Sequence, residues 1–442
     1  MKYIEHIKSV VLFLLVSLSL LLTFMAWSYQ PNYKTMEDVQ VEQVYIGNKK
    51  TAEQVIKPYR ILFREDDVFT GSVSSTVIDS FMSMIPKMQA QDFTLINNNL
   101  SDVKINEMQR INDRMTLFFP TDVPLPAFST ILPFSDKDLP ETTFNRIIVD
   151  WSRLATSSQL QFLFISTENR TSYRSYVTVF DETKLLRGFI KPALNFAEYV
   201  EVERPDALSL YTVSDGIELT QYTYYIDEIS PNLFKNILFT DPNIVQRNIE
   251  SVQYEKYDDG MSLMTVDTQS KIINYVYPAA ESLSLIPASR LFEDSFDFLN
   301  EHGGITADYR FSAMNLQKHV TEYQLYLQGY PVYSNDTLTR ITTTWGDDRI
   351  FRYRRPYYSL IMDIPGEKTV KELASGPEIL EYIKHHTDYQ LQDVKDIVVG
   401  YYLVQNQNVE WFTLVPSWFM ITDAGWTHIT PERLGGIEYG LE

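Results

Sequence analysis

Between Val10 and Trp27 the chain runs for eighteen residues without a charge, with only Ser17, Ser19 and Thr23 as polar interruptions. At a rise of about 1.5 Å per residue a helix of this length reaches roughly 27 Å, close to the hydrocarbon thickness of a bilayer. A helix apolar on every side has to be surrounded by lipid or protein, so this run sets the plan for everything after it. The competing reading is a cleaved secretory signal. The run exits through Met25-Ala26-Trp27-Ser28-Tyr29-Gln30-Pro31, with aromatics where cleavage needs small residues, and no cysteine is present for lipidation. An uncleaved single-pass anchor over residues 10–27 is therefore expected, with residues 1–30 kept in the mature protein. Lys2 and Lys8 precede it, which places residues 1–9 in the cytoplasm and the chain from Gln30 onward outside the cell membrane. Trp27 and Tyr29 suit the aromatic belt on the outer side.

The same helix has two unlike surfaces. In heptads Ser9, Val16 and Thr23 fall on one line and Leu12, Ser19 and Ala26 on the adjoining one, whereas Leu14, Leu21 and Phe24 lie opposite. Small and hydroxyl side chains let membrane helices approach and hydrogen-bond, so the stripe is a candidate partner face. Alternatively the hydroxyls bond only to carbonyls of their own helix.

The rest of the chain reads as folded protein: 44% of residues are hydrophobic and 14% aromatic, values of a packed domain. The formal charge of the whole sequence, −20, argues against nucleic acid, and against anionic wall polymers or lipid headgroups as broad electrostatic partners. The absence of cysteine excludes disulfides, thiolate metal sites and thiol nucleophiles.

Residues 28–48 are polar and read as a linker. From 49 to 190 helical and strand periodicities mix, with strands at Tyr59–Arg64, Asp92–Ile96, Met115–Phe119, Arg146–Asp150, Leu160–Ile165 and Ser172–Phe180 and helices at Ser75–Met88 and Ser101–Arg110. This predicts a first α+β domain. Beyond Pro192 aromatic strands alternate with acidic turns, Asp258-Asp259-Gly260 and Gly346-Asp347-Asp348 being hairpin signals. A helix opens each group, Pro231–Phe239 and Ala288–Asn300, so two helix-plus-antiparallel-sheet units are expected, 191–286 and 287–431, loosely duplicated, with 432–442 as a tail. The fold class is α+β, with a transmembrane helix followed by a multi-domain ectodomain of antiparallel sheets.

Signals for chemistry are sparse. Ser101-Asp-Val-Lys104 has the S-x-x-K spacing in which lysine activates a serine, but no K-T-G accompanies it, and serine before a helix is more often a cap. Glu381 and His385 share a helix face without a third ligand, and the paired aspartates belong to turns, so no metal or cofactor is expected. One local feature departs from the acidic background. Arg349-Ile-Phe-Arg-Tyr-Arg-Arg-Pro-Tyr-Tyr358 interleaves arginine with aromatics, making Arg349, Arg352, Tyr353, Arg354 and Arg355 a candidate ectodomain contact, or else a solvated strand face.

Met1-Lys2-Tyr3-Ile4-Glu5, the leucine-rich anchor, Ala26-Trp27-Ser28-Tyr29-Gln30-Pro31-Asn32-Tyr33 and the long acidic ectodomain together resemble the YycH (WalH) family of Gram-positive bacteria. Gln328-Gly-Tyr-Pro-Val-Tyr333 and Pro416-Ser-Trp418 look like parts of the fold that YycH shares with YycI. The resemblance implies a non-enzymatic regulator of the WalK/WalR two-component system of cell-wall homeostasis, working with a YycI-like anchored protein and touching the sensor histidine kinase through the membrane helix. It brings no catalytic residues. Two other classes stay open on the residues themselves: a wall-active serine enzyme using Ser101 and Lys104, and an extracytoplasmic solute or cation receptor, which needs a deep polar cleft.

Overall fold

Strands with apolar residues at alternate positions, closed by aspartate and glycine turns, favour antiparallel ladders, and such ladders make up most of the protein. The computed structural model describes residues 12–23, 47–282, 284–302, 304–364, 366, 368–386, 389–406 and 411–430. Within them the strands form two sheets.

The first is nine-stranded: β1 (Arg60–Glu65), β2 (Val68–Ser72), β3 (Gln89–Asn97), β4 (Arg114–Pro124), β5 (Thr143–Asp150), β6 (Gln159–Ser166), β7 (Thr171–Thr178), β8 (Ala197–Val202) and β9 (Leu210–Val213), in the order β3-β7-β6-β5-β4-β1-β2-β8-β9. Both faces of its centre are covered. On one, Ile147, Val149, Phe162 and Phe164 enter the main core, where the Phe164 ring lies 5.2 Å from Phe144 and 5.7 Å from Phe93. On the other, Ile148, Leu163 and Ile165 pack against Ile105 of the helix Asp102–Gln109.

The second sheet is fifteen-stranded and comprises β10 (Ile217–Glu228), β11 (Gln246–Ile249), β12 (Tyr254–Asp258), β13 (Leu263–Asp267), β14 (Ile272–Val276), β15 (Tyr309–Asn315), β16 (Val320–Leu327), β17 (Tyr330–Tyr333), β18 (Arg340–Trp345), β19 (Ile350–Pro356), β20 (Tyr358–Asp363), β21 (Thr369–Leu373), β22 (Val394–Gln405), β23 (Trp411–Thr422) and β24 (Gly425–Ile429). Its path is β11-β12-β13-β14-β19-β18-β16-β17-β22-β23-β10-β20, with β15 on β16, β21 on β10 and β24 on β23. Among the described strand pairs of this sheet, β17 with β22 is parallel and the others are antiparallel. The helix Ala288–Glu301 covers its inner face through Phe292, Phe298 and Leu299.

The mixed α+β class with antiparallel sheets is the one expected, but the expected divisions do not follow the sheets. A boundary at 190 cuts off β8 and β9, which pair into the first sheet through Phe69↔Tyr199 and Val200↔Thr212. The units 191–286 and 287–431 are not separate layers, because β14 pairs with β19 (Tyr275↔Tyr353) and β10 with β23 (Tyr222↔Leu414). Such long-range ladders leave no local mark in the chain. The two hairpin turns are found where expected. Gly260 takes φ +85°, and the Asp259 carboxylate accepts from the amides of Met261 at 2.9 Å and Ser262 at 2.6 Å.

Gly329, in the β16–β17 turn, presses the second sheet against the first. It has φ +94°, and an added Cβ would lie 2.3 Å from the Val73 carbonyl oxygen and 2.7 Å from the Ser75 nitrogen. Gly329→Ala is expected to destabilise the protein by about 2 kcal/mol or more, strain and backbone collision adding together. Gly260→Ala, whose Cβ meets nothing within 4 Å, bears the conformational term alone, about 1 kcal/mol. Urea midpoints of the two variants test the ranking; equal losses would show that the turn makes no tight contact.

Candidate functional site

Arg60 opens an apolar strand and is 4% exposed, so its charge needs a partner in the fold. The partner lies 336 residues away. Nη2 of Arg60 donates to both carboxylate oxygens of Asp396, at 3.2 and 3.0 Å, and Nη1 donates to the Tyr211 carbonyl at 2.9 Å. The Tyr59 hydroxyl donates to the same carboxylate, and the guanidinium stands 4.7 Å above the Phe118 ring. Asp396 reaches this position at a bulge in β22, where the register shifts between Val394 and Asp396. Burial, reinforced by the Asp396 charge, pushes the Tyr59 phenol far above its ordinary range. For Arg60 burial is the largest influence and opposes the charge, but Asp396, Tyr59 and Tyr199 together more than offset it, so the guanidinium stays ionised.

Next to this pair is a cavity of about 40 Å³ lined by Arg60, Tyr199, Tyr330, Ile397 and Trp418. At roughly 10–15 Å³ per water it suits about three waters, whereas a metabolite site takes several hundred Å³. The junction is a buried contact between the two sheets. Asp396→Ala, which strands a buried cation, is expected to lower stability by about 3–5 kcal/mol, and Arg60→Met combined with Asp396→Leu to restore most of it. Denaturant unfolding of both variants decides; a small loss in the single variant would mean that water replaces the carboxylate.

The Ser101–Lys104 pair does not form a catalytic couple. Ser101 caps the helix Asp102–Gln109, its Oγ accepting from the Lys104 backbone nitrogen at 3.3 Å, while Lys104 Nζ turns to Glu107 at 2.8 Å on an exposed surface. Ser101→Ala is expected to remove about 1 kcal/mol of stability, read as a lowered urea midpoint; an unchanged midpoint would show that the capping bond carries no weight. Glu381 and His385 form an exposed pair at 3.4 Å, and among the described residues no group of three or more acidic or histidine side chains is placed to hold a metal.

The arginine–aromatic strand, β19, divides by alternation. Arg352 and Arg354 point to solvent, and Arg349, in the preceding turn, is exposed and lies 3.6 Å from Asp348. Tyr353 and Arg355 are corrected out of the contact patch, because each is 0% exposed. Tyr353 packs 5.2 Å from Phe298, and Arg355 donates to the carbonyls of Pro356 and Gly304, at 2.9 and 3.1 Å, and to the Thr306 hydroxyl at 3.1 Å. A side chain expected at a surface is thus an internal brace for the loop after the helix Ala288–Glu301.

Of the membrane stripe, Leu12, Val16, Ser19 and Thr23 are described; Ser9, Ala26 and the remainder of Val10–Trp27 lie outside the described residues. Residues 12–23 are helical, with Leu12, Phe13, Leu14, Leu15, Val16, Leu18, Leu20, Leu21 and Leu22 each more than half exposed. The Thr23 hydroxyl donates to the Ser19 carbonyl at 2.8 Å, the bond within its own helix that was the alternative for this residue. Among the described residues no helix is long and apolar enough to cross a membrane.

Residues 5–185 match the YycH protein N-terminal domain and residues 207–434 the YycH protein C-terminal domain, together most of the chain. The chain belongs to the YycH family. It is 20% identical over 470 aligned residues to the two-component system WalR/WalK regulatory protein YycH of Bacillus subtilis (strain 168), with 99% of each chain covered. The crystal structure of YycH from Bacillus subtilis has the same fold, with a TM-score of 0.74, 17% identity, and coverage of 87% of this chain and 99% of that one.

The YycH domain matches put Arg60 in the N-terminal part and Asp396 in the C-terminal part, so the buried pair ties the two together. The C-terminal match starts at residue 207, yet β9 (Leu210–Val213) pairs into the first sheet. Sequence reasoning missed Arg60, although an arginine at the head of the apolar run Ile61-Leu62-Phe63 is a signal for a buried ion; nothing local points to Asp396.

Proposed function

We propose that this YycH-family chain is a membrane-anchored, non-catalytic regulator of a WalR/WalK-type two-component system. Residues 10–27 span the membrane with the N-terminus cytoplasmic, and the two sheets stand outside the cell. The stripe Ser9, Leu12, Val16, Ser19, Thr23 and Ala26 contacts a membrane helix of the sensor histidine kinase. Arg349, Arg352 and Arg354 serve an ectodomain contact, with a YycI-like anchored protein as companion. The observation that carries this reading is the full-length match to a WalR/WalK regulatory protein, joined with a charge-free helix whose apolar side chains are left uncovered by the ectodomain.

In lipid the hydrophobic effect does not drive helices together, so small and hydroxyl residues decide pairing. The combined change of Ser19, Thr23 and Ala26 to leucine is expected to alter the output of a WalR-dependent reporter at unchanged membrane insertion. Each lost contact is worth about 0.6 kcal/mol on average, and up to about 2, which is why the triple change is needed. Apolar exchange of Leu14, Leu21 and Phe24 on the opposite face should leave output as it was. Equal behaviour of the two triple variants would remove the stripe from the mechanism.

A further inference from the structure

The outer face of the second sheet around β19 is polar, and its charge there runs against that of the molecule. Three strands set its centre. Arg354 on β19 is flanked in register by Asn274 of β14 and Thr342 of β18, and Arg352 by Val276 and Thr344. Two residues apart on one strand, the guanidiniums leave the backbone about 6.6 Å from each other at roughly 3.3 Å per residue. Arg340 stands close by and holds Glu322 at 3.1 Å. Among the described residues neither Arg352 nor Arg354 enters an ion pair, although the protein carries a net charge of −20. Partial burial, together with the charges of Arg340 and Arg352, depresses the Arg354 pKa from its usual value. Like charges are therefore gathered with one carboxylate among them, an arrangement that destabilises the free protein and is relieved by a partner that brings carboxylates.

We propose that the Arg352–Arg354 face of the second sheet binds an acidic protein surface, one that presents two carboxylates about 7 Å apart, as alternate residues of a strand do. Charge complementarity names the partner's chemistry. Guanidinium groups match carboxylates bidentately, and the threonine and asparagine side chains beside them add hydrogen bonds without a groove. The net charge of −20 on the molecule disfavours a long anionic polymer, which would run off the patch into like charge within about one Debye length of 8–10 Å. The inference rests on the ectodomain contact proposed above and gives it an address and a partner type.

The test uses the full chain in detergent micelles. The probe is a synthetic β-hairpin with glutamates at alternate positions of one face; a glutamine counterpart and poly(glycerol phosphate) are the comparisons. The glutamate hairpin is expected to bind, with affinity falling as salt rises, and the Arg352→Glu/Arg354→Glu variant to bind it at least tenfold more weakly. A lysine hairpin should instead bind the variant. Both side chains are exposed, so circular dichroism and the urea midpoint should not move. Unchanged hairpin affinity in the variant overturns the proposal, as does tighter binding of poly(glycerol phosphate) than of the hairpin, which would make the face a polymer site. The WalR-dependent reporter separates the two readings. Lost hairpin binding with an unaltered reporter supports the acidic-partner face and removes its regulatory use; retained binding with an altered reporter overturns the face alone.

Discussion

A charged pair sealed between two sheets holds this architecture to one arrangement. Arg60 and Asp396 are nearly buried, come from opposite ends of the chain, and are satisfied only when β1 and β22 meet at the observed offset. An apolar junction tolerates sliding, whereas a buried cation paired with one carboxylate does not, because leaving either charge alone costs several kcal/mol. Around the pair the approach is close. Gly329 admits the backbone of Val73 and Ser75, and Gly400 admits the Pro331 carbonyl, which an added Cβ would meet at 2.5 Å. The two sheets are therefore joined by a buried ion pair and by a close backbone approach at Gly329.

The second sheet separates a packed inner face from a polar outer one by strand alternation. Tyr353, Ile273, Met264 and Tyr257 turn inward under the helices, while Arg354, Asn274, Thr265 and Lys256 share one outward row across four strands. No catalytic constellation interrupts either face among the residues singled out for chemistry. Ser101 is a helix cap, the aspartate pairs hold turns, and the cavity at the junction has room for a few waters. The outward row of the second sheet is polar and exposed or half-buried, whereas its inward residues are sealed in the main core.

Much of the strand content was legible because burial on one face imposes a period of two. Ile397–Val404 was found in this way within β22, and Leu160–Ile165 within β6 as a near-continuous apolar run buried on both faces. Strands lacking that contrast escaped. In β8, Ala197–Val202, most positions are exposed or half-buried, and β10, Ile217–Glu228, has a single fully buried residue in twelve. Their place comes from hydrogen bonds to partners far along the chain. The arginine strand was half legible: its charge stood out, but which arginines face solvent depends on register, and a shift of one residue would have exposed Arg355 and buried Arg354.

Local chemistry alone determined the apolar run near the N-terminus, the capped helix at Ser101, the aspartate–glycine hairpins and the antiparallel α+β class, because each depends on neighbours within a few residues. Tertiary structure decided which strands join, that the middle and last regions form one sheet, which arginines brace the core and which meet solvent, and that Arg60 finds Asp396. Those outcomes turn on burial and pairing between segments distant in the chain, and the free energy of such contacts exists only once the chain has folded.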